Sequence, residues 1–91
     1  MKITFDDIKR AKTLEERGLD FADAVQVFDG PHLTRLDARR DYGERRFIST
    51  GWLNGRRVIL VWTERTDSRR IISMRHAHDD DAHFTAENPV G

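Results

Sequence analysis

The stretch from Arg56 to Ala77 holds most of the side chains suited to chemistry on a phosphate. It reads as two apolar strands joined by a short polar turn, with charges at the strand ends. A charge is costly to bury inside a strand, so it collects at the rim, where a sheet meets water. Glu64, Arg65, Arg69, Arg70 and Arg75 therefore gather around one hairpin. A carboxylate among several guanidinium groups on a rigid sheet suits the binding and cleavage of a phosphodiester. The guanidinium fork donates two hydrogen bonds to phosphate and keeps its charge.

The elements that position these groups must come from a chain of 91 residues, which is one domain and not two. The domain is expected to span 1–91, with about 78–91 as a frayed tail. Charged residues, at 35%, nearly equal hydrophobic ones at 37%, so the core is thin. There is no cysteine, which excludes disulfides and cysteine-based zinc sites. Nothing resembles a signal peptide and no apolar run approaches the roughly 20 residues of a membrane span, so a soluble intracellular protein is expected.

The net charge is zero but unevenly spread. Residues 30–76 carry eleven Arg and five acidic groups, while residues 1–29 carry five basic and seven acidic groups. The middle of the chain can thus form a basic surface for phosphate or for an acidic partner. His76 and His78, followed by Asp79-Asp80-Asp81 and His83, have the composition of a divalent-cation site. On a chain terminus this reads instead as a solvated acidic tail, and no metal is expected.

Met1 to Phe5 reads as a short strand or extended lead-in. Asp6 or Asp7 caps a helix carrying a partial stripe of Ile8, Ala11 and Leu14, and Gly18 ends it. Asp20 starts a second helix with Phe21, Ala24, Val25, Val27 and Phe28 as its apolar face, stopped by Gly30-Pro31. His32 to Asp37 is a strand anchored by Leu33 and Leu36, and Ala38 to Glu44 is an arginine-rich loop. Asn54-Gly55 is the strongest local signal, because a type I′ turn needs positive φ at both central residues. A two-residue turn pairs Leu53 with Arg56, Gly51 with Val58 and Phe47 with Trp62. Phe47, Ser49, Val58, Leu60, Trp62 and Glu64 then share one face, and Ile48, Thr50, Trp52, Ile59, Val61 and Thr63 the other. A last strand runs from Arg69 to Ala77, and His78 to Asn88 forms a short, weak helix. The predicted class is α+β: two N-terminal helices, a mostly antiparallel sheet of about four strands, and a short C-terminal helix.

The ordered set Phe5-Asp6, Lys9, Arg17-Gly18-Leu19-Asp20-Phe21, Ala24, Val27-Phe28, Glu44-Arg45, Gly51, Val61 to Arg65 and Arg70-Ile71-Ile72-Ser73-Met74-Arg75-His76-Ala77 resembles the BrnT toxins. These are the ribonuclease half of a bacterial type II toxin–antitoxin pair, with a RelE-like fold. The resemblance covers roughly residues 3–78. Two positions depart from it: Glu16-Arg17 stand where the family often has Lys-His, and His76 where it often has Lys or Arg.

The resemblance implies a cytoplasmic toxin that cuts RNA and inhibits translation without a metal or other cofactor. It implies neutralisation by a BrnA-type antitoxin carrying a ribbon-helix-helix domain, in a heterotetramer that meets DNA only through the antitoxin. Such cleavage uses the ribose 2′-hydroxyl as nucleophile, so the protein must move protons and stabilise the phosphorane. The candidate catalytic residues are Arg70 and Arg75 for charge stabilisation and Glu64 as general base or as an orienting partner for Arg70 or Arg45. Lys9, Arg45, Arg65 and His76 are the candidate RNA-binding residues. His76 can act as an acid near neutrality, but alternation turns it to the face opposite Arg75. Trp62 is read as core and Trp52 as a partner contact. The rival reading is a catalytically inactive protein-binding module of the same fold.

Overall fold

Asp6 separates the first two elements of the chain. A computed structural model describes residues 1–78, and in it Ile3–Phe5 form β1 and Asp7–Arg17 form α1. The Asp6 carboxylate accepts from the amides of Ile8 and Lys9 at 2.8 and 3.3 Å, donors that have no partner within the helix. Gly18 ends α1 with φ at 68°, a conformation other side chains rarely adopt. Asp20 caps the next segment through the Ala22 amide. That segment begins as a 3-10 turn, Phe21–Asp23, and continues as α2, Ala24–Asp29.

Four strands follow: β2 Leu33–Leu36, β3 Arg46–Leu53, β4 Arg56–Arg65 and β5 Ser68–His76. The sheet order is β1-β5-β4-β3-β2. The expectation of about four mostly antiparallel strands is corrected here, because among the described residues the sheet has five strands and is mixed. The lead-in to the first helix is itself a strand, and it pairs parallel to β5, Ile3 with Arg69 through Phe5 with Ile71. The helical segments and three other strands lie between these partners in the chain, so no local pattern marks the pairing. The expected helix from His78 to Asn88 lies outside the described residues, apart from His78.

The β3–β4 hairpin keeps the predicted register, with Leu53 opposite Arg56 and Phe47 opposite Trp62, across a turn with Asn54 at φ 52° and Gly55 at φ 78°. β4 is central, and its residues Val58, Ile59 and Leu60 are all buried. On β5 one extra residue, Ile72, sits opposite the Val61–Trp62 step, since Val61 pairs with Ser73 and Trp62 with Ile71. Such a bulge shifts the alternation of side chains by one. Ile71 and Met74, three residues apart, consequently both enter the core at 1% and 0% exposure.

One face of the sheet is covered by Leu19, Phe21, Ala24, Val27 and Phe28, which pack on Leu53, Val58, Leu60, Trp62, Ile71 and Met74. Burying a side chain the size of Phe21 stabilises the fold by about 2–3 kcal/mol. α1 does not take part. None of its residues is buried, and the stripe expected to face inward points to solvent, with Ile8 at 81% exposure. The Phe21–Phe28 segment already fills the covered face, so α1 lies along β5 beyond the end of β1. Polar side chains hold it there. Arg10 makes a bidentate pair with Asp20 at 2.8 and 3.0 Å and sits over the Phe5 ring, and Arg17 donates to the Met74 carbonyl at 2.8 Å.

Candidate nucleic-acid interface

The second face of the sheet, which the core segment does not cover, carries an apolar centre ringed by arginines. Cross-strand partners share a face, so it presents Arg35 with Ile48 and Val61, then Thr50 with Ile59 and Arg75, then Arg46 with Thr63 and Arg70. A cavity of about 230 Å³ opens on it. Ile48, Ile59 and Val61 form its floor, Ser73 stands at its margin, and Arg35, Arg39 and Arg75 surround it.

Arg39 is held there by a buried carboxylate. Asp37 has no exposed side-chain surface and accepts from Arg39 Nε and Nη2, both at 2.8 Å. The Arg39 backbone amide and the Tyr42 hydroxyl donate to the same carboxylate, each at 3.2 Å. The Arg39 hydrogen bonds outweigh the burial penalty and pull the Asp37 carboxyl down to about 2, while the Arg39 guanidinium is held above its ordinary value by the same bonds. Arg75 donates from Nη1 to the His76 carbonyl at 3.2 Å. Among the described residues the cavity is thus bordered by three guanidinium groups with the Asp37 carboxylate behind Arg39, a setting that attracts an anion. Arg75 comes from β5, Arg35 from β2, and Arg39 from the loop after it.

A second depression, also about 230 Å³, meets the first at Ser73. Lys9, Lys12 and Arg17 of α1 line it together with Glu16 and the bulged Ile72, three cations against one carboxylate. The two together make a basic track that crosses the sheet edge at the bulge. Among the described residues, the charged groups lining the first cavity are Arg35, Arg39 and Arg75, which suit the stabilisation of negative charge.

The residues expected from the sequence fall into separate places. Arg75 lines the first cavity and Lys9 the second. Arg70 shares the outer face with Arg75. Its partner Thr63 lies four residues along β4 from Arg75's partner Ile59, or about 13 Å of strand, and Arg70 does not line the cavity. Glu64 is on the opposite face at the strand end, 3.2 Å from Arg45, both being largely exposed. Arg45 lies over the Phe47 ring. Arg65 pairs with Glu44 at 3.2 Å, and Glu44 also holds Arg46 at 3.4 Å. His76 pairs across strands with the core residue Val58 and so faces the helices. The structure does not bring Glu64, Arg70 and Arg75 into one pocket. Arg35, Arg39 and Ser73 were missed. The spacing Asp37-x-Arg39 is the available signal, but it straddles the expected strand His32 to Asp37 and the arginine-rich loop after it.

A family model described as "Ribonuclease toxin, BrnT, of type II toxin-antitoxin system" matches residues 5–81 of the chain. No curated protein matches it. No helix among the described residues is long and apolar enough to cross a membrane.

Proposed function

The chain belongs to the BrnT family of ribonuclease toxins of type II toxin–antitoxin systems, and on that premise we propose that it cleaves RNA endonucleolytically at the Arg75 cavity. The observation that carries this reading is the meeting of Arg35, Arg39 and Arg75 around one cavity on an open sheet face. In metal-independent cleavage the ribose 2′-hydroxyl gives up its proton to solvent and attacks the adjacent phosphate, and the 5′-oxygen leaves with a proton taken from water. Charge accumulates on the phosphorane oxygens between these events. Arg75, with Arg35 beside it, donates hydrogen bonds to those oxygens. Asp37 keeps Arg39 oriented, so the site needs little rearrangement as charge develops. Lys9 and Lys12 extend the cationic surface along the RNA backbone. Arg70 and Arg65 contact the strand farther from the reacting phosphate, and Glu64 orients Arg45. His76 belongs to the covered face in this reading.

Purified protein incubated with single-stranded RNA in excess chelator tests the proposal. Wild type should cut, and Arg75→Ala should lose about 100-fold to 1,000-fold in rate with an unchanged melting temperature. Full activity in Arg75→Ala would overturn the assignment of the site. The rival reading is an inactive binding module, which an all-arginine set of charged lining residues among the described ones would also serve. Wild-type protein that neither cuts RNA nor arrests growth would support it.

A type II system supplies an antitoxin partner. We assign it to the BrnA type, with a ribbon-helix-helix domain that dimerises and binds DNA, so that two toxins and two antitoxins form a heterotetramer in the cytoplasm. The chain's zero net charge supports leaving DNA contact to the antitoxin. The mass of the co-expressed complex by light scattering tests the stoichiometry.

A further inference from the structure

We infer that the outer sheet face holds a nucleobase subsite next to the Arg75 cavity, in which one unstacked base of single-stranded RNA lies against Trp52. The inference rests on the RNA-cleaving reading above and names how that site would choose its substrate.

The two tryptophans differ in kind. Trp62 is 5% exposed and its Nε1 donates to the buried Ser49 hydroxyl at 2.8 Å. Trp52 is 52% exposed at the end of β3. It borders a cavity of about 310 Å³ whose other walls are Pro31, His32, Leu33, Thr50 and Arg57. Every base has a π-face, and an exposed indole beside a guanidinium is the kind of platform on which single-stranded bases stack.

A second observation comes from the polar atoms beneath the indole. Thr50 is 4% exposed, and its Oγ1 has no hydrogen-bond partner among the described residues. The buried Nε of Arg57 has none either. Buried polar groups are nearly always paired, so two orphans lining one cavity call for an outside partner. Both atoms are buried, so a base reaches them only when the lining of this cavity shifts. One hydroxyl and one guanidinium N–H can bond the carbonyl-bearing edge of guanine or uracil, whereas adenine has no carbonyl oxygen.

Position ties the subsite to the cavity. Thr50, Ile59 and Arg75 occupy one cross-strand row. Two strand spacings, about 10 Å, separate the backbone at Thr50 from that at Arg75. A base against Trp52 and a phosphate at Arg75 can therefore belong to neighbouring nucleotides of one strand.

Binding of labelled 2′-O-methyl hexanucleotides, which lack the attacking hydroxyl, tests the subsite by fluorescence anisotropy without depending on cleavage. Trp52→Ala should weaken binding about tenfold or more while circular dichroism and melting temperature stay at wild-type values. An abasic residue at the recognised position should cost wild type the same factor and cost Trp52→Ala nothing further. Thr50→Val, which removes an unpaired hydroxyl, should leave the melting temperature unchanged or raised and should reduce the preference for guanine or uracil over adenine. Equal affinity of wild type and Trp52→Ala for every oligonucleotide would overturn the inference. So would a variant that binds RNA normally but is no longer neutralised by the antitoxin, since Trp52 would then belong to the protein interface. If Trp52→Ala loses base preference while Arg75→Ala binds and cuts normally, the assignment of the reacting phosphate to the Arg75 cavity fails and the subsite stands.

Discussion

Arg70 and Arg75 lie on the same face of the sheet although five positions separate them on one strand. Strict alternation would put them on opposite faces. The extra residue at Ile72 restores the phase, so that Ile71 and Met74 both point into the core while Arg70, Ser73 and Arg75 point out. The bulge thus joins a packing requirement to the placement of the basic track, because Ser73, next to Ile72, is also where its two depressions meet.

Deleting Ile72 should therefore damage the fold and the site together. Regular pairing would turn either Ile71 or Met74 out of the core, at a cost of about 2–5 kcal/mol, comparable to a large-to-small core substitution. A fall in the urea midpoint of that size is expected. A deletion variant of wild-type stability would remove the bulge from this account.

Arg70→Ala should behave differently from Arg75→Ala. Arg70 borders no reacting group in the proposed site, so its loss should raise KM with kcat within about threefold. That is the signature of a contact equally strong in ground and transition states. Steady-state kinetics on a short RNA separates the two parameters, and a kcat loss as large as that of Arg75→Ala would move the reacting phosphate toward Arg70.

Asp37 makes the stability of the chain depend on acid pH. Its carboxyl is drawn down to about 2 by Arg39, below the unfolded value of about 3.9. Stabilisation from a lowered carboxylate is complete above the unfolded value and is lost as pH falls through the folded one. A contribution on the order of 1–2 kcal/mol should therefore vanish between about pH 4 and pH 2. Asp37→Asn should be less stable at pH 7 and show a flatter profile across that window by thermal melts. It should also cut RNA more slowly, since Arg39 loses its bidentate partner.

Gly51 marks a close approach between the core segment and the sheet. A Cβ there would lie 2.6 Å from Val27 Cγ1 and 3.2 Å from His32 Cβ. Gly51→Ala should cost about 1–3 kcal/mol through overpacking, read as a lower midpoint in urea denaturation. A neutral effect would mean that α2 can move away from β3 at little cost.

Glu64→Gln should leave RNA cleavage within about threefold of wild type. The Glu64–Arg45 pair is exposed on both sides, so stability should change by less than about 1 kcal/mol. A rate loss of 100-fold or more would restore Glu64 as the general base.

The parts of the molecule legible in the sequence are those decided within a few residues. The Asp6 and Asp20 caps, the Gly18 stop and the Asn54-Gly55 turn each follow from a backbone group that needs a partner or a φ that needs glycine or asparagine. The turn fixes hairpin register, and register assigns Trp62 to the core and Trp52 to the surface. The candidate site was only partly legible. Arg75 could be picked out from its strand, but Arg35 and Arg39 looked like solvated charges because nothing near them in the chain shows that β2 will pair with β3.

By itself the amino-acid order determined the local elements, the hairpin pairing, the basic character of the middle of the chain and, through its ordered motifs, membership of the BrnT family. Tertiary structure alone decided that β1 lies parallel to β5, that α1 turns Ile8 outward, and that β5 carries a bulge. It also decided that Arg75 meets Arg35 and Arg39 rather than Glu64. Local choices are set by interactions within one or two turns of chain. The others depend on which distant segment fills the covered face first, and that competition is settled only when the whole core packs.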